Sequence, residues 1–344
     1  MKKRILIFTV GLLLITACKQ QPNNLIVMTH DSFAISEAII TEFEDENNID
    51  VVFLPSGDAG SILNRAILSK NAPVADILYG IDNTYLSRAI DENLFEVYDS
   101  PLLAKIPDGL KLDNQNRALP IDFGDVCINY EKRFFHENNL DLPTSLIDLV
   151  DPKYANLLVV ENPATSSPGL AFLLATIAEF GEDGYLDYWN DLNQNGIVIV
   201  NDWETAYYTN FSGSAGKGAQ PMVVSYGTSP AAEVIFSEEQ LIESPTASLI
   251  GKNMCFRQIE FAGILKGTKN RALAEKFIDL MLSAEFQEDI PLNMFVFPVN
   301  NDVKIPQEFL DHIQVPETPA VIGMDKIAEM RETWIESWRE LMLQ

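Results

Sequence analysis

Residues 25–54, LIVMTHDSFAISEAIITEFEDENNIDVVFL, place an apolar run at Leu25–Met28, apolar residues at helical spacing through Ala34–Glu46, and a second apolar run at Val51–Leu54. A strand, a helix and a strand in that order read as a parallel unit, because parallel neighbours need a long crossover and a helix usually supplies it. The alternation continues through Asp76–Tyr79, Leu157–Val160, Ile197–Val200 and Met222–Ser225, with helical patterns at Ser61–Ser69 and Leu170–Phe180. The expectation is an α/β fold with largely parallel sheets. Six such strands are too many for one core of ordinary size, so two sheets are expected.

Two further helices are predicted at Leu273–Phe286 and Asp325–Met342. In the second, Ile327, Met330, Trp334, Trp338 and Leu341 recur at steps of three or four, the stripe of a helix packed on a domain surface. No internal repeat or low-complexity linker interrupts the chain. The two halves are therefore expected to be joined by crossing strands, with Ile121–Tyr130 and Met254–Ile264 as the candidates.

The 344 residues carry 24 Lys and Arg against 50 Asp and Glu, a formal charge of −26. A nucleic-acid groove needs clustered basic side chains, so that class is not expected; the acidic balance suits a cationic partner or simply a soluble surface. Met1-Lys-Lys-Arg4 is a basic leader, Ile5–Ile15 an apolar segment too short to span a bilayer, and Ile15-Thr-Ala-Cys18 has the form of a lipobox. Residues 1–17 are expected to be a signal peptide. Lipid-modified Cys18 would then begin the mature chain, with residues 18–24 as its tether to a membrane outside the cytoplasm. Loss of residues 1–17 removes three basic groups and no acidic one, which takes the balance to −29. Cys127 and Cys255 remain, and they are expected to be buried free thiols, since separation along the chain establishes no pairing. His30, His136 and His312 are too scattered for a metal cluster, and no CxxC pattern is present.

Asp31-Ser32-Phe33, Pro55–Ser61 and Ile81-Asp82-Asn83 each follow a predicted strand, where α/β sheets place ligands. Asp31, Asp58 and Asp82 would then converge on one edge, although Asp31 and Ser32 read equally as helix caps. Thr165-Ser166-Ser167-Pro168-Gly169-Leu170 lies between a strand and a helix, either an ordinary cap or an anion seat of hydroxyls and free N–H groups. Trp203, Ser225–Pro230, Phe295 and Phe297 place aromatic rings at strand ends and in loops, and a ring beside a carboxylate is a cation trap. GxSxG and HExxH are absent, so turnover is less supported than binding.

Taken in order, several of these segments are similar to those of the thiamine-binding lipoproteins and periplasmic proteins that feed ABC importers. The similarity runs from Thr29-His-Asp-Ser-Phe33 through Leu63-Asn-Arg65, Gly80-Ile-Asp-Asn83, Pro120-Ile-Asp-Phe-Gly124, Thr165–Leu170, Ser225-Tyr-Gly-Thr-Ser-Pro230 and Phe297-Pro-Val299 to Trp334-Ile-Glu-Ser-Trp338. Phe277–Ser283 with Phe286-Gln287 is shared more broadly among solute-binding proteins of this fold.

The resemblance implies a two-lobed periplasmic-binding-protein-like fold, two mixed sheets flanked by helices with a crossing-strand hinge. Lobe 1 would be residues 25–122 plus 262–344, and lobe 2 residues 123–261. It implies capture of thiamine, its monophosphate or its diphosphate between the lobes, with no cofactor or catalytic residue. A monomer would deliver the ligand to an ABC permease served by a separate ATPase. Asp58 and Ala59 would line the cleft from lobe 1. Ser166, Ser167 and Trp203 would hold the hydroxyl or phosphate end, with Tyr226, Gly227, Thr228 and Ser229 as a further wall and His30, Asp31 and Phe295 as added contacts. His30 stands where the family leads one to expect Tyr, Phe295 where Trp, Ala59 where Gly and Gly227 where Thr. Relatives on this fold bind polyamines or ferric ion; adjacent tyrosines are expected of iron binders where this chain has Tyr226-Gly227, while Tyr207-Tyr208 reads as packing. A secreted thiamine-processing enzyme would need a nucleophile such as Cys127.

Overall fold

A computed structural model describes residues 23–214, 218–237 and 241–343. The predicted signal peptide and Cys18 lie outside the described residues. The opening unit forms as its pattern requires: β1 (Asn23–Thr29) and β2 (Ile49–Pro55) run parallel, with the helix Glu37–Asn47 between them. That helix buries Ile39, Ile40 and Phe43, the apolar positions that face the sheet, and ends at left-handed Asn48. After the helix Ala59–Ser69, β3 (Ile77–Asp82) joins β1 on its other edge, also parallel.

Then the chain crosses over. β4 (Leu119–Glu131) and β9 (Phe256–Ile264) are the predicted crossing strands, and they pair with each other antiparallel. β9 also pairs antiparallel with β3, and β4 with β7 (Met222–Tyr226). Beyond β7 lie β5 (Leu158–Glu161) and β6 (Val198–Val200), both parallel. The path is β2-β1-β3-β9-β4-β7-β5-β6, with β8 (Thr246–Leu249) and β10 (Phe297–Pro298) attached to β4. Two parallel trios thus flank a shared antiparallel pair. Where two separate sheets were expected, hydrogen bonding runs through without a break, because β4 is long enough to pair with β9 along Leu119–Val126 and with β7 along Val126–Tyr130.

Helices cover the sheet where their apolar faces demand it. Ser167–Gln194 buries Leu170–Ile177 in its first turns, bends at left-handed Gly181, and buries Trp189 against Trp338 with the rings 5.4 Å apart and nearly perpendicular. The C-terminal helix Met324–Met342 buries Ile327, Trp334, Ile335 and Trp338, so its tryptophans serve packing. The helix predicted over Leu273–Phe286 is two, Arg271–Leu282 and Ala284–Asn293, divided at Ser283, which is extended and whose hydroxyl caps the second by accepting the Phe286 N–H. No helix of the described residues is long and apolar enough to cross a membrane.

Cys127 and Cys255 form a disulfide, correcting the expectation of free thiols. The pairing Val126↔Phe256 brings the two cysteines opposite each other on neighbouring antiparallel segments, a proximity that only the register reveals.

Candidate functional site

A cavity of about 410 Å³ opens between the carboxyl ends of the two parallel trios, within the range of small-molecule sites. From the first trio come His30 just after β1, Asp58 and Ala59 after β2, and Gly80 in β3. From the second come Ser167 at a helix start, Trp203 after β6, Tyr226 at the end of β7, and Ser229. Phe295 closes one side, and Gln258 and Glu260 of β9 with Asp122 and Gly124 of β4 make the floor.

Each of these positions has a local cause. Gly80 has φ +96°, and a Cβ there would stand 2.3 Å from the His30 ring, so only glycine leaves room for the imidazole. Trp203 donates its indole N–H to Ser225 Oγ at 2.9 Å and stacks on Tyr207, with ring centres 5.1 Å apart. Phe295 adopts φ +53°, unusual for a bulky side chain, and its carbonyl accepts the Thr228 hydroxyl at 2.5 Å. The strained backbone aims the ring at the cavity.

Four sequence-predicted residues sit elsewhere. Ser166 is wholly buried behind the helix start, its hydroxyl without a partner, and only Ser167 reaches the cavity. Gly227 packs on the disulfide: a Cβ would lie 3.2 Å from Cys127 Sγ, which accounts for glycine where the resemblance led to Thr. Thr228 is spent on the Phe295 carbonyl. Asp31 is exposed and accepts the Gly57 N–H at 2.8 Å.

Of the three carboxylates expected on one edge, Asp58 alone lines the cavity. Asp82 is buried and accepts from the Thr84 N–H at 2.7 Å and the Gln258 amide at 3.3 Å. Conversely, Tyr207 and Tyr208, read as packing, both line the site from the π-helical segment Thr205–Asn210. Tyr207 donates to Glu233 at 2.7 Å, while Tyr208 is half exposed, with its ring edge-on to Trp203 at 5.5 Å. Glu233, Asp122 and Glu260 were missed altogether. Oxidation of Cys127 also removes the thiol that an enzyme reading required.

Among the described lining residues, four are carboxyl groups and one, His30, is a base. Burial pushes Asp58 up to about 6, against the pull of His30 and with the help of Asp202, Asp31 and Glu204. Burial and the neighbouring Glu260 drive Asp122 well above the carboxylate range, and Tyr79 donates its hydroxyl to it. Burial opposes charge on Glu260 too, but His30 at 3.5 Å, together with Tyr79 and Asp122, outweighs it and holds Glu260 below its ordinary value. His30 is raised in turn, because Glu260, Asp58 and Asp31 together outweigh its burial. Carboxyl groups beside aromatic faces form an arrangement that can receive a cation.

Asp58 yields a prediction with a definite sign. The folded protein holds its proton to about 6, whereas an unfolded aspartate releases it near 3.9. The favourable contribution is therefore complete below about pH 4 and lost as pH rises through about 6. Asp58→Asn should raise the melting temperature by a few degrees at pH 7.5. The gain should shrink between pH 6 and 4 and vanish below, while cation affinity at pH 7.5 falls. Thermal melts of both proteins over pH 3.5–8 check this; a gain that persists at pH 3.5 contradicts it.

Residues 72–330 match the family model described as bacterial extracellular solute-binding protein. The chain is 30% identical over 320 residues to the thiamine-binding periplasmic protein of Salmonella typhimurium, covering 92% of each. Among solved structures it superposes on a periplasmic thiamin binding protein with TM-score 0.81 and 28% identity, covering 93% of this chain and 96% of that one. It also shares its fold with iron-bound HitA from Pseudomonas aeruginosa at TM-score 0.76 and 20% identity, over 93% of this chain and 99% of that one. With a matching family model over most of its length, a mixed sheet continuous through two crossing strands, and a cavity between the halves, the chain belongs to the bacterial extracellular solute-binding proteins.

Proposed function

We propose that the protein captures thiamine in this cavity and delivers it to an ABC permease with a separate ATPase. The observation that carries the reading is the meeting, in one cavity, of Trp203, Tyr226 and Phe295 with the Asp58 carboxyl. Thiamine has a permanent thiazolium charge, a flat aminopyrimidine and a hydroxyethyl arm. Aromatic faces and carboxylates suit the first two, and the named function of the relatives agrees.

The arm, phosphorylated or not, would meet Ser167 and the free N–H groups that open the helix Ser167–Gln194. Residues 25–122 with 262–344 would form one lobe and 123–261 the other. A ligand touching both stabilises the closed arrangement, and closure is the state a permease can recognise. The chain would act as a monomer outside the cytoplasm, tethered through lipid on Cys18. A buried disulfide is consistent with an oxidising compartment. Binding rather than turnover is the role that the family supports.

A polyamine is the rival that carboxylates and rings also suit. Iron is less favoured, since Tyr226 is followed by Gly227 and the Tyr207 hydroxyl is engaged by Glu233. Calorimetry with thiamine, its mono- and diphosphate, spermidine and ferric citrate decides. Thiamine is expected to bind one to one; tight spermidine binding without a thiamine signal sinks the proposal. Ser167→Ala should weaken the phosphate esters about tenfold, as loss of a hydrogen bond to a charged group does, and thiamine much less. Equal losses across the three would reject Ser167 as the phosphate contact.

A further inference from the structure

Glu260 rises from the middle of β9, one of the two strands shared by both halves of the sheet, opposite Asp122 on β4 and Asp82 on β3. It lines the cavity floor with its side chain 19% exposed; the Tyr79 hydroxyl, shared with Asp122, lies at 3.2 Å, and His30 Nε2 approaches to 3.5 Å, an ion-pair distance without a hydrogen bond. The other groups facing this pair are known. Asp58 and Asp31 act on His30, Asp122 acts on Glu260, and Glu260 acts in turn on Asp82 and the Tyr226 phenol. Burial and Glu260 push Asp122 well above the carboxylate range, so on this floor Glu260 is the carboxylate that faces the one titratable base, His30.

A cation admitted to such a floor finds its natural counter-charge, Glu260, already facing the His30 imidazole. A thiazolium cannot discharge itself, since its charge is permanent. The charge that can leave is the proton on His30. We infer that Glu260 is the carboxylate that receives the ligand's fixed positive charge, and that His30 is its resident counter-ion, displaced as the ligand arrives. The inference rests on the thiamine reading and assigns its cation a site that no motif in the sequence marks. The step balances: the imidazolium N–H bond breaks, its electron pair stays on nitrogen, the proton passes to buffer, and Glu260 keeps its charge and exchanges one cation for another.

The test is calorimetry with thiamine at pH 7.5, where Asp58 at about 6 is already ionised, in phosphate and in Tris, whose ionisation heats differ. The wild-type protein should show a buffer-dependent heat, corresponding to release of up to one proton per site, and an affinity that rises with pH. His30→Gln should show no proton release and a flat affinity above pH 7. Glu260→Gln should lose about 30-fold or more for thiamine but less than threefold for neutral tetrahydrothiamine. A purely structural role for Glu260 would weaken both ligands alike. Buffer-independent heat in the wild type, or equal losses for the two ligands in Glu260→Gln, overturns the inference alone. Silence of the wild type toward thiamine overturns the thiamine reading and this inference with it. Should Glu260→Gln not fold, the wild-type and His30→Gln buffer pair decides.

Discussion

Tyr226→Ala should weaken thiamine binding about 30-fold or more, the loss of roughly 2 kcal/mol typical of a central aromatic anchor. Tyr226 ends β7 with its backbone tied to β4: it lies opposite Val126, and its carbonyl accepts the Asn129 amide at 3.0 Å. The ring rests over Gly124, where a Cβ would come within 3.1 Å of it, and stands 6.4 Å from Trp203 at a steep angle. It packs on the two largest core clusters and faces the cavity, so a ligand stacked on it touches a residue positioned by both halves of the sheet. Burial, reinforced by Glu260, Asp82, Asp58 and Asp122, keeps the phenol neutral. What it offers a cation is therefore an electron-rich face, and Tyr226→Phe should cost less than threefold. Calorimetry on the two variants, with melting curves as a check on folding, separates face from hydroxyl. Loss in Phe equal to that in Ala would assign the effect to the hydroxyl, and an undiminished Ala variant would remove Tyr226 from the site.

The fold was legible where apolar runs and helical spacing agree, as in β1, β2 and the helix between them, because one sheet face and one helix stripe must be buried together. The continuous ladder through β4 and β9 was not, since strand pairing is a property of register. The same limit hid the disulfide. At the site, strand-end positions were read well but side-chain fates were not. Asp31 and Asp82 occupy the expected edge, yet a short carboxylate beside a turn is captured by the nearest N–H, here that of Gly57 or Thr84. Glu260 looks like one polar position in an alternating strand, which ordinarily means solvent; only the topology turns that face onto a cavity. Tyr207-Tyr208 was visible but assigned to helix packing, and the π-helical segment that carries both rings into the site has no apolar period to betray it.

Replacing both cysteines, Cys127→Ala with Cys255→Ala, should lower unfolding stability by about 2–5 kcal/mol while leaving thiamine affinity within about threefold. The bridge spans a sequence separation of 128 residues, and the chain-entropy model assigns a closed loop of that length about 5 kcal/mol, the upper end of the range. Both cysteines are buried, so reductant acting on the native protein should do little, and loss of the bridge should appear only when reductant and denaturant are combined. Binding is expected to survive because the positions of the lining groups do not depend on the bridge. Seven residue pairs join β4 to β9, the Asp125 carboxylate holds Arg257 by two hydrogen bonds at 3.0 and 2.8 Å beside it, and β7 is paired with β4 independently. Urea unfolding with and without the two substitutions measures the first effect and calorimetry the second. A stability loss below about 1 kcal/mol would mean that the denatured chain keeps these strands close without the bridge. A large loss of affinity with little loss of stability would instead mean that the disulfide, through its contact with Gly227, sets the position of Tyr226 and hence the shape of the cavity wall.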